Sequence, residues 1–266
     1  MAIAVIGAGA IGGAVSKGLL ESKYRVVAAE KRLERRKELE KLGLTVIDDN
    51  KKAAKEAEII ILCVKPKDVK EVLKEIRNEI KEKLVISMAA AVNLGFLKKL
   101  APESRFVRAM PNMAILVRES FTAYCVASDV VVEEKEKAEK LLKTLGEVVE
   151  IDEAQMDAIT ALSGCAPAYL SIIVEAMTYA GLEVGLTRDL ALSASAQAMI
   201  GTGKLILEAK KAPCEIKDMV TTPGGVTIEG LRELEKIPVR HAMMNAVRAA
   251  AAKSKMISES FTEKQT

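Results

Sequence analysis

Two stretches of this 266-residue chain hold groups that could do chemistry. The first, residues 220–231, reads VTTPGGVTIEGL: Thr221 and Thr222 lead into Pro223-Gly224-Gly225, then come Val226 and Thr227, and the pattern turns helical. Pro and paired Gly interrupt regular structure and let backbone approach a ligand closely. A short helix over 227–235 would aim its free N–H groups and its positive dipole end back at that turn. The turn is then either a seat for a small anion, most simply a carboxylate, or a plain helix start behind a tight bend.

The second stretch is Gly7-Ala8-Gly9-Ala10-Ile11-Gly12, a G-x-G-x-x-G pattern with an apolar run before it and an amphipathic helical pattern after it. Gly7 permits a tight turn, Gly9 lets backbone reach a pyrophosphate, and Gly12 allows close helix–strand packing. The pyrophosphate would sit on the N-terminus of a helix that starts near Ala10 and Ile11. Strand, helix and second strand follow in the right order, so the pattern predicts a dinucleotide site for NADP or NAD rather than a merely Gly-rich turn. Glu30 ends the second strand where an acidic residue would bind the ribose 2′-hydroxyl of NAD. Lys31, Arg32, Arg35 and Arg36 follow at once and could hold a 2′-phosphate, or simply form the solvated first turn of a helix.

The rest of the composition removes competing chemistries. His241 is the only histidine, which leaves no metal site built on His and no Ser-His-Asp triad. Lys and Arg number 40 against 37 Asp and Glu, a balance that argues against nucleic acid as a partner. Trp is absent, with four Tyr and four Phe, so a base-stacking surface is not expected either. Cys63, Cys125, Cys165 and Cys214 form no C-x-x-C pair and read as reduced thiols of a cytoplasmic protein. The N-terminus has no basic segment ahead of its apolar residues and reads as a first strand, not a signal peptide. The uncharged run 158–174 contains Gly164 and Pro167 and reads as a buried helical region rather than a membrane span.

Up to residue 151, short β-rich runs alternate with charged helical ones. Strands are predicted over 3–6, 25–29, 45–47, 59–64, 84–87, 105–108, 121–126 and 148–151, and helices over 12–21, 33–42, 51–57, 69–80, 94–100 and 133–145. Val69, Val72, Leu73 and Ile76 show the helical spacing. Such alternation predicts a parallel, doubly wound sheet. From 152 onward the pattern is helical throughout. The fold class is therefore α/β, a Rossmann-like dinucleotide-binding domain over 1–151 followed by an all-α domain over 152–266. Two helical runs, 158–174 and 190–203, are nearly uncharged and demand burial on every side. The small helical domain cannot bury both alone, which predicts a homodimer.

Taken in order, G-x-G-x-x-G, Val64-Lys65-Pro66, Arg108-Ala-Met110-Pro111-Asn112, the run 162–169 (LSGCAPAY) and VTTPGGVTIEGL resemble the pyrroline-5-carboxylate reductases of proline biosynthesis. The resemblance covers nearly the whole chain, and the last motif is the most specific. It implies that Val64, Lys65 and Pro66 line the cofactor near its riboses. Ala89 and Ala90 would lie beside the nicotinamide, and Met110, Pro111 and Asn112 below it. It also implies that Thr222, Gly224, Gly225, Val226 and Thr227 form the substrate loop, in an active site that uses both subunits of a dimer. Cys165 stands where such enzymes often have Ser, Ala91 where Gly is common, and Met113-Ala114 where Thr-Pro is frequent.

The implied reaction is hydride transfer from NAD(P)H to the C=N carbon of a cyclic imino acid. A cyclic imine protonates readily, so no strong side-chain acid is required, and VTTPGGVT contains none. Backbone N–H groups near 224–226, with Thr222, are expected to hold the substrate carboxylate, and Thr227 to hydrogen-bond the ring nitrogen as the catalytic residue. Ser163, Pro167 and Glu175 are open between site and structural roles. The main alternative is a β-hydroxyacid dehydrogenase or ketoacid reductase of similar architecture, in which Lys204 would move the hydroxyl proton. A nucleotide sensor would have no use for the hydroxyls of the loop.

Overall fold

The computed structural model describes residues 1–263. Its first strands are short apolar runs: β1 (Ala2–Ile6), β2 (Arg25–Ala29), β3 (Thr45–Ile47), β4 (Ile59–Leu62), β5 (Leu84–Ser87) and β6 (Arg105–Met110). Helices α1 (Ala10–Glu21), α2 (Leu33–Glu40), α3 (Asn50–Glu56), α4 (Val69–Ile76) and α5 (Leu94–Leu100) connect or flank them. The sheet is completed by β7 (Ser120–Val126), α6 (Val132–Lys143) and β8 (Gly146–Glu150). Strand order is β3-β2-β1-β4-β5-β6-β7-β8.

The strands read as continuous apolar runs because both faces are covered. On one face Ala4, Ile6, Ile60, Leu62 and Val85 pack with Val72, Leu73 and Ile76 of α4 and Leu97 of α5. On the other, Ile3, Val5, Ile59, Ile61, Leu84 and Ile86 pack with Val15 and Leu19 of α1 and Leu141 and Leu142 of α6. Odd and even residues of one strand thus serve opposite cores, the period-2 rule applied twice.

One expectation is corrected. The sheet is not parallel throughout: β6 and β7 pair antiparallel, with Arg108 opposite Cys125, and β8 then runs parallel to β7. Between β6 and β7 lie only residues 111–119, including a short 3₁₀ turn over Met113–Val117. That is too little chain for a helical crossover, so the strand must return beside its neighbour. Between β7 and β8 the helix α6 supplies a full crossover, and the parallel relation resumes.

The chain divides into two compact units, Met1–Cys165 with residues 249–263, and Ala166–Arg248. In the first, α7 (Met156–Ile159) is continued by a π-helical turn, Thr160–Gly164. The second holds α8 (Ala166–Glu183), α9 (Arg188–Leu207), α10 (Pro213–Val220), α11 (Val226–Glu235) and the start of α12 (Val239–Glu263). Here α8 and α9 pack so tightly that a Cβ on Gly181 would lie 2.6 Å from Cβ of Ala191. Otherwise they leave Leu170, Ile172, Met177, Leu190, Leu192 and Ile200 exposed. Two segments, Glu153–Glu183 and Arg188–Leu207, are long and apolar enough to cross a membrane, and little of either is covered within one protomer.

Ala91 takes a left-handed conformation, φ +61, with its side chain buried. That is the conformational reason for glycine at this position, and a Cβ there is strained by about 1–2 kcal/mol. Ala91→Gly is expected to stabilise the protein by about 1 kcal/mol, or about 2–4 °C in Tm, after the entropy cost of glycine. An unchanged or lower melting midpoint would contradict the strain.

Candidate active site

The order of strands reverses between β1 and β4, the place where open α/β sheets bind ligands. A cleft of about 500 Å³ opens there at the carboxyl ends of the strands. The loop after β1 is pinned by two bonds, the N–H groups of Gly7 and Ala8 both donating to the Ala29 carbonyl. Gly7 has φ +90, and a Cβ on it would lie 2.6 Å from Val64 Cγ1. A Cβ on Gly12 would lie 2.1 Å from the Gly7 carbonyl oxygen. Both glycines are therefore dictated by contact. α1 starts with Gly9 as its N-cap and no side-chain cap, so its first N–H groups stay open for an anion.

Of the residues expected to bind the cofactor, Gly7, Gly9, Glu30, Lys31, Arg32, Val64 and Lys65 line this one cleft. Ala10, Ile11 and Gly12 belong to the first turn of α1, just behind it. Pro66 opens the 3₁₀ turn Pro66–Asp68 after β4. Ala89 and Ala90 follow β5, and Met110, Pro111 and Asn112 end or follow β6. β5 pairs with β4 and β6 with β5, all parallel, so the two groups continue the same carboxyl edge beyond the cleft. The sequence reading missed the far wall, built from Asn50, Lys67, Asp68, Glu71, Val72 and Glu75. Only the apolar face of α4 stood out in the pattern; its cleft-facing carboxylates look like any solvated helix face.

The conflict between Glu30 and the basic residues after it resolves into pairs. Glu30 is buried, and its carboxylate accepts from Arg32 Nε at 2.9 Å, Arg32 NH2 at 3.1 Å and the Arg32 backbone N–H at 3.0 Å. Burial alone would raise the Glu30 pKa, but the hydrogen bonds and charge of Arg32 outweigh it and hold the carboxyl below its ordinary 4.5. The pair is therefore intact at any neutral pH. Lys31 reaches Glu75 at 3.6 Å, and Glu75 also accepts from Asn50 Nδ2 at 3.0 Å. Arg35 turns inward: Nε donates to the Ala8 carbonyl at 3.2 Å and NH2 to the Gly9 carbonyl at 3.1 Å, bracing the glycine loop. Arg36 pairs with Asp48 and does not line the cleft. Lys31 and Arg32 are thus the basic residues of that run that line the cleft. Cys63, also on its wall, is pushed up to about 12 by burial and stays a neutral thiol.

The second unit presents the other candidate stretch. The Gly225 N–H donates to the Thr222 carbonyl at 3.0 Å and closes a four-residue turn over Pro223 and Gly224, the latter at φ +68. A Cβ on Gly225 would lie 2.3 Å from Thr222 Oγ1, so the two are packed closely, and the positive φ of Gly224 is what calls for glycine in this turn. Thr221 Oγ1 donates back to the Lys217 carbonyl and takes no part in the opening. α11 begins at Val226 with Gly225 as N-cap and no side-chain cap. The open donors are those of the first turn, Val226 and Thr227 included, and Val226 is 91% exposed. Lys204 is exposed in the last turn of α9, His241 is exposed, and Glu175 is exposed with no ion-pair partner among the described residues.

Residues 153–257 match the family described as pyrroline-5-carboxylate reductase dimerisation, and residues 2–91 the family described as NADP oxidoreductase, coenzyme F420-dependent. The chain is 38% identical over 260 residues to a pyrroline-5-carboxylate reductase of Methanosarcina acetivorans, spanning 95% of this chain and 96% of that one. It is 35% identical over 249 residues to that of Arabidopsis thaliana, spanning 93% and 90%. A Plasmodium falciparum pyrroline carboxylate reductase solved with NADP bound superposes with a TM-score of 0.87 at 30% identity, covering 97% of this chain and 98% of that one.

The Arg32 pairing generates a prediction. Arg32→Gln should lower kcat/KM with NADPH by about 10- to 100-fold, the worth of a charge-assisted contact to a 2′-phosphate. The freed Glu30 carboxylate suits a ribose 2′-hydroxyl, so the NADH value should hold. An unchanged NADPH-to-NADH ratio in steady-state assays would remove Arg32 from discrimination.

Proposed function

The chain belongs to the pyrroline-5-carboxylate reductase family, and from that premise we infer how its own residues carry the reaction. The enzyme is an oxidoreductase that reduces 1-pyrroline-5-carboxylate to L-proline, with NADPH as the hydride donor. The bound cofactor supplies a hydride at its nicotinamide; the protein supplies binding, orientation and electrostatics.

Gly7, Gly9, Ala10, Ile11 and Gly12 seat the pyrophosphate on the first N–H groups of α1. Glu30, Lys31 and Arg32 meet the adenosine ribose and its 2′-phosphate. Val64, Lys65 and Pro66 flank the riboses, while Ala89, Ala90, Met110, Pro111 and Asn112 border the nicotinamide. NADH is accepted as a second donor if the Glu30 carboxylate exchanges a bond from Arg32 for the ribose 2′-hydroxyl.

The substrate carboxylate is held by the first-turn N–H groups of α11 and by Thr222. The observation that carries this reading is the uncapped start of α11 behind a turn whose Gly224 has a positive φ. Thr227 Oγ1 accepts from the protonated ring nitrogen, which fixes the imine carbon for transfer. Holding that carbon about 3–3.5 Å from the donor supplies most of the acceleration. A ketoacid reductase would need a proton-moving side chain at this loop, and Thr221–Thr227 offers only hydroxyls and backbone.

The working unit is proposed to be a homodimer in the cytoplasm, with residues 1–151 as the cofactor domain and 152–266 as the substrate and dimerisation domain. The exposed apolar faces of α8 and α9 and the match to a dimerisation family over 153–257 support this. Burial in a second subunit, not in lipid, accounts for both apolar segments. Larger assemblies would be built from such dimers.

Thr227→Val should lower kcat by about 10- to 100-fold, a loss of roughly 1.4–2.7 kcal/mol in transition-state stabilisation. Unchanged kinetics with 1-pyrroline-5-carboxylate would remove Thr227 from the mechanism. In analytical sedimentation the protein should run as a dimer or larger at nanomolar concentration; a stable monomer would overturn the assembly.

A further inference from the structure

The π-helical turn Thr160–Gly164 interrupts the helical segment that leaves the sheet. Single π turns inside helices recur at functional sites. Its wide bond is the Cys165 N–H donating to the Thr160 carbonyl at 3.0 Å, five residues back. Thr160 Oγ1 helps open the turn by donating to the Met156 carbonyl at 2.6 Å. Pro167 has no N–H, so the Ser163 carbonyl four residues earlier cannot receive the usual helical bond from it.

A side chain outside the helix takes that carbonyl. Asn112 Nδ2 donates to the Ser163 carbonyl at 3.3 Å and to Ser163 Oγ at 3.2 Å. Its Oδ1 accepts from the Ala114 N–H at 3.0 Å and caps the 3₁₀ turn over Met113–Val117. The Asn112 backbone N–H donates to Ser120 Oγ at 3.0 Å. Ser163 Oγ in turn donates to the Phe121 carbonyl at 3.4 Å. A Cβ on Gly164 would stand 3.0 Å from Met110 Cε, so the π turn also packs directly on the same loop. Both ends of the Asn112 amide, and the Ser163 hydroxyl, are spent on protein.

We propose that Asn112 is a positioning residue: its amide latches the π turn Thr160–Gly164 to the Met110–Asn112 loop, and hydride transfer depends on that latch. The proposal rests on the reading of residues 110–112 as the border of the nicotinamide. Asn is the residue the geometry requires, since one end of the amide must donate to Ser163 while the other accepts from Ala114. Ser163 is then the receiver of the latch, which answers the question its position raised in the sequence.

The test compares Asn112→Asp, Asn112→Ala and Ser163→Ala in the full-length enzyme. Aspartate keeps the oxygen that caps Ala114 but cannot donate to the Ser163 carbonyl, so it removes that bond, while Asn112→Ala removes the cap as well. Asn112→Asp should lower kcat by about 10-fold or more, with the KM for NADPH changed by less than about twofold. With NADPH deuterated at the transferred position, the isotope effect on kcat should grow as hydride transfer becomes slower. Amide hydrogen exchange over residues 160–165 should quicken by about 10-fold while the central strands keep their protection. Ser163→Ala retains the carbonyl acceptor and should cost only about two- to fivefold in kcat.

Three results would overturn the proposal. One is exchange over 160–165 that does not change in Asn112→Asp. Another is full kcat in Asn112→Asp beside a loss in Asn112→Ala, which would assign the effect to the 3₁₀ cap. The third is a raised KM for NADPH with kcat intact, which would make Asn112 a direct cofactor contact. The underlying reading is checked separately in the unsubstituted enzyme. Amides over 108–116 should gain protection on adding NADP, and no gain would refute the loop's place at the nicotinamide whatever the variants do.

Discussion

The cofactor end of this protein depends on how near α1 comes to β1. The Gly7 carbonyl lies where a Cβ on Gly12 would be, at 2.1 Å, so helix and strand meet backbone to backbone. That contact points the first N–H groups of α1 at the cleft, and Arg35 braces it from behind through the Ala8 and Gly9 carbonyls. A helix displaced by even one methyl group would tilt its donors away from the anion they serve. The fixed partial charges of α1, the position of Val64 and the mouth of the cleft all follow from two missing side chains.

Charge in the cleft is arranged as preformed pairs rather than as a free positive patch. Arg32 is engaged by Glu30, and Lys31 faces Glu75. At the proposed cofactor site, a 2′-phosphate would have to compete with a carboxylate for Arg32, which would moderate its gain, and a cofactor lacking that phosphate would meet an already paired wall. Preference between the two donors becomes a difference between two small terms, set by an exchange of partners on one guanidinium.

Much of this was legible in the residues. The glycine pattern, the apolar strands and the Pro-Gly-Gly turn are local signals, because the physics behind each acts within a few residues. The cleft's far wall was not legible, because Asn50, Asp68, Glu71 and Glu75 are brought there by the sheet and resemble solvent-facing residues in sequence. Arg35 stood open between a phosphate ligand and a solvated helix turn for the same reason; the fold gives it Glu38 and backbone carbonyls 26 and 27 residues away as partners. The reversal at β7 was hidden in a loop length, and the π turn in the conjunction of Thr160 and Pro167. Ala91 was the opposite case: its departure from the family pattern was visible in sequence, and its cost, a Cβ at positive φ, only in the fold.

The reversal of β7 also sets the direction in which the chain leaves the sheet. Because β7 and β8 run against the first six strands, β8 ends at the amino edge, opposite the cleft at the carboxyl ends. α7 and the π turn then carry the chain back to the carboxyl edge, where Ser163 meets Asn112 and the Phe121 carbonyl. Had β7 and β8 run with the others, β8 would have finished at the cofactor edge and the same helical segment would have travelled away from it. One short loop between β6 and β7 thus acts as a compass for the polypeptide, returning it to the carboxyl edge of the sheet by Ser163.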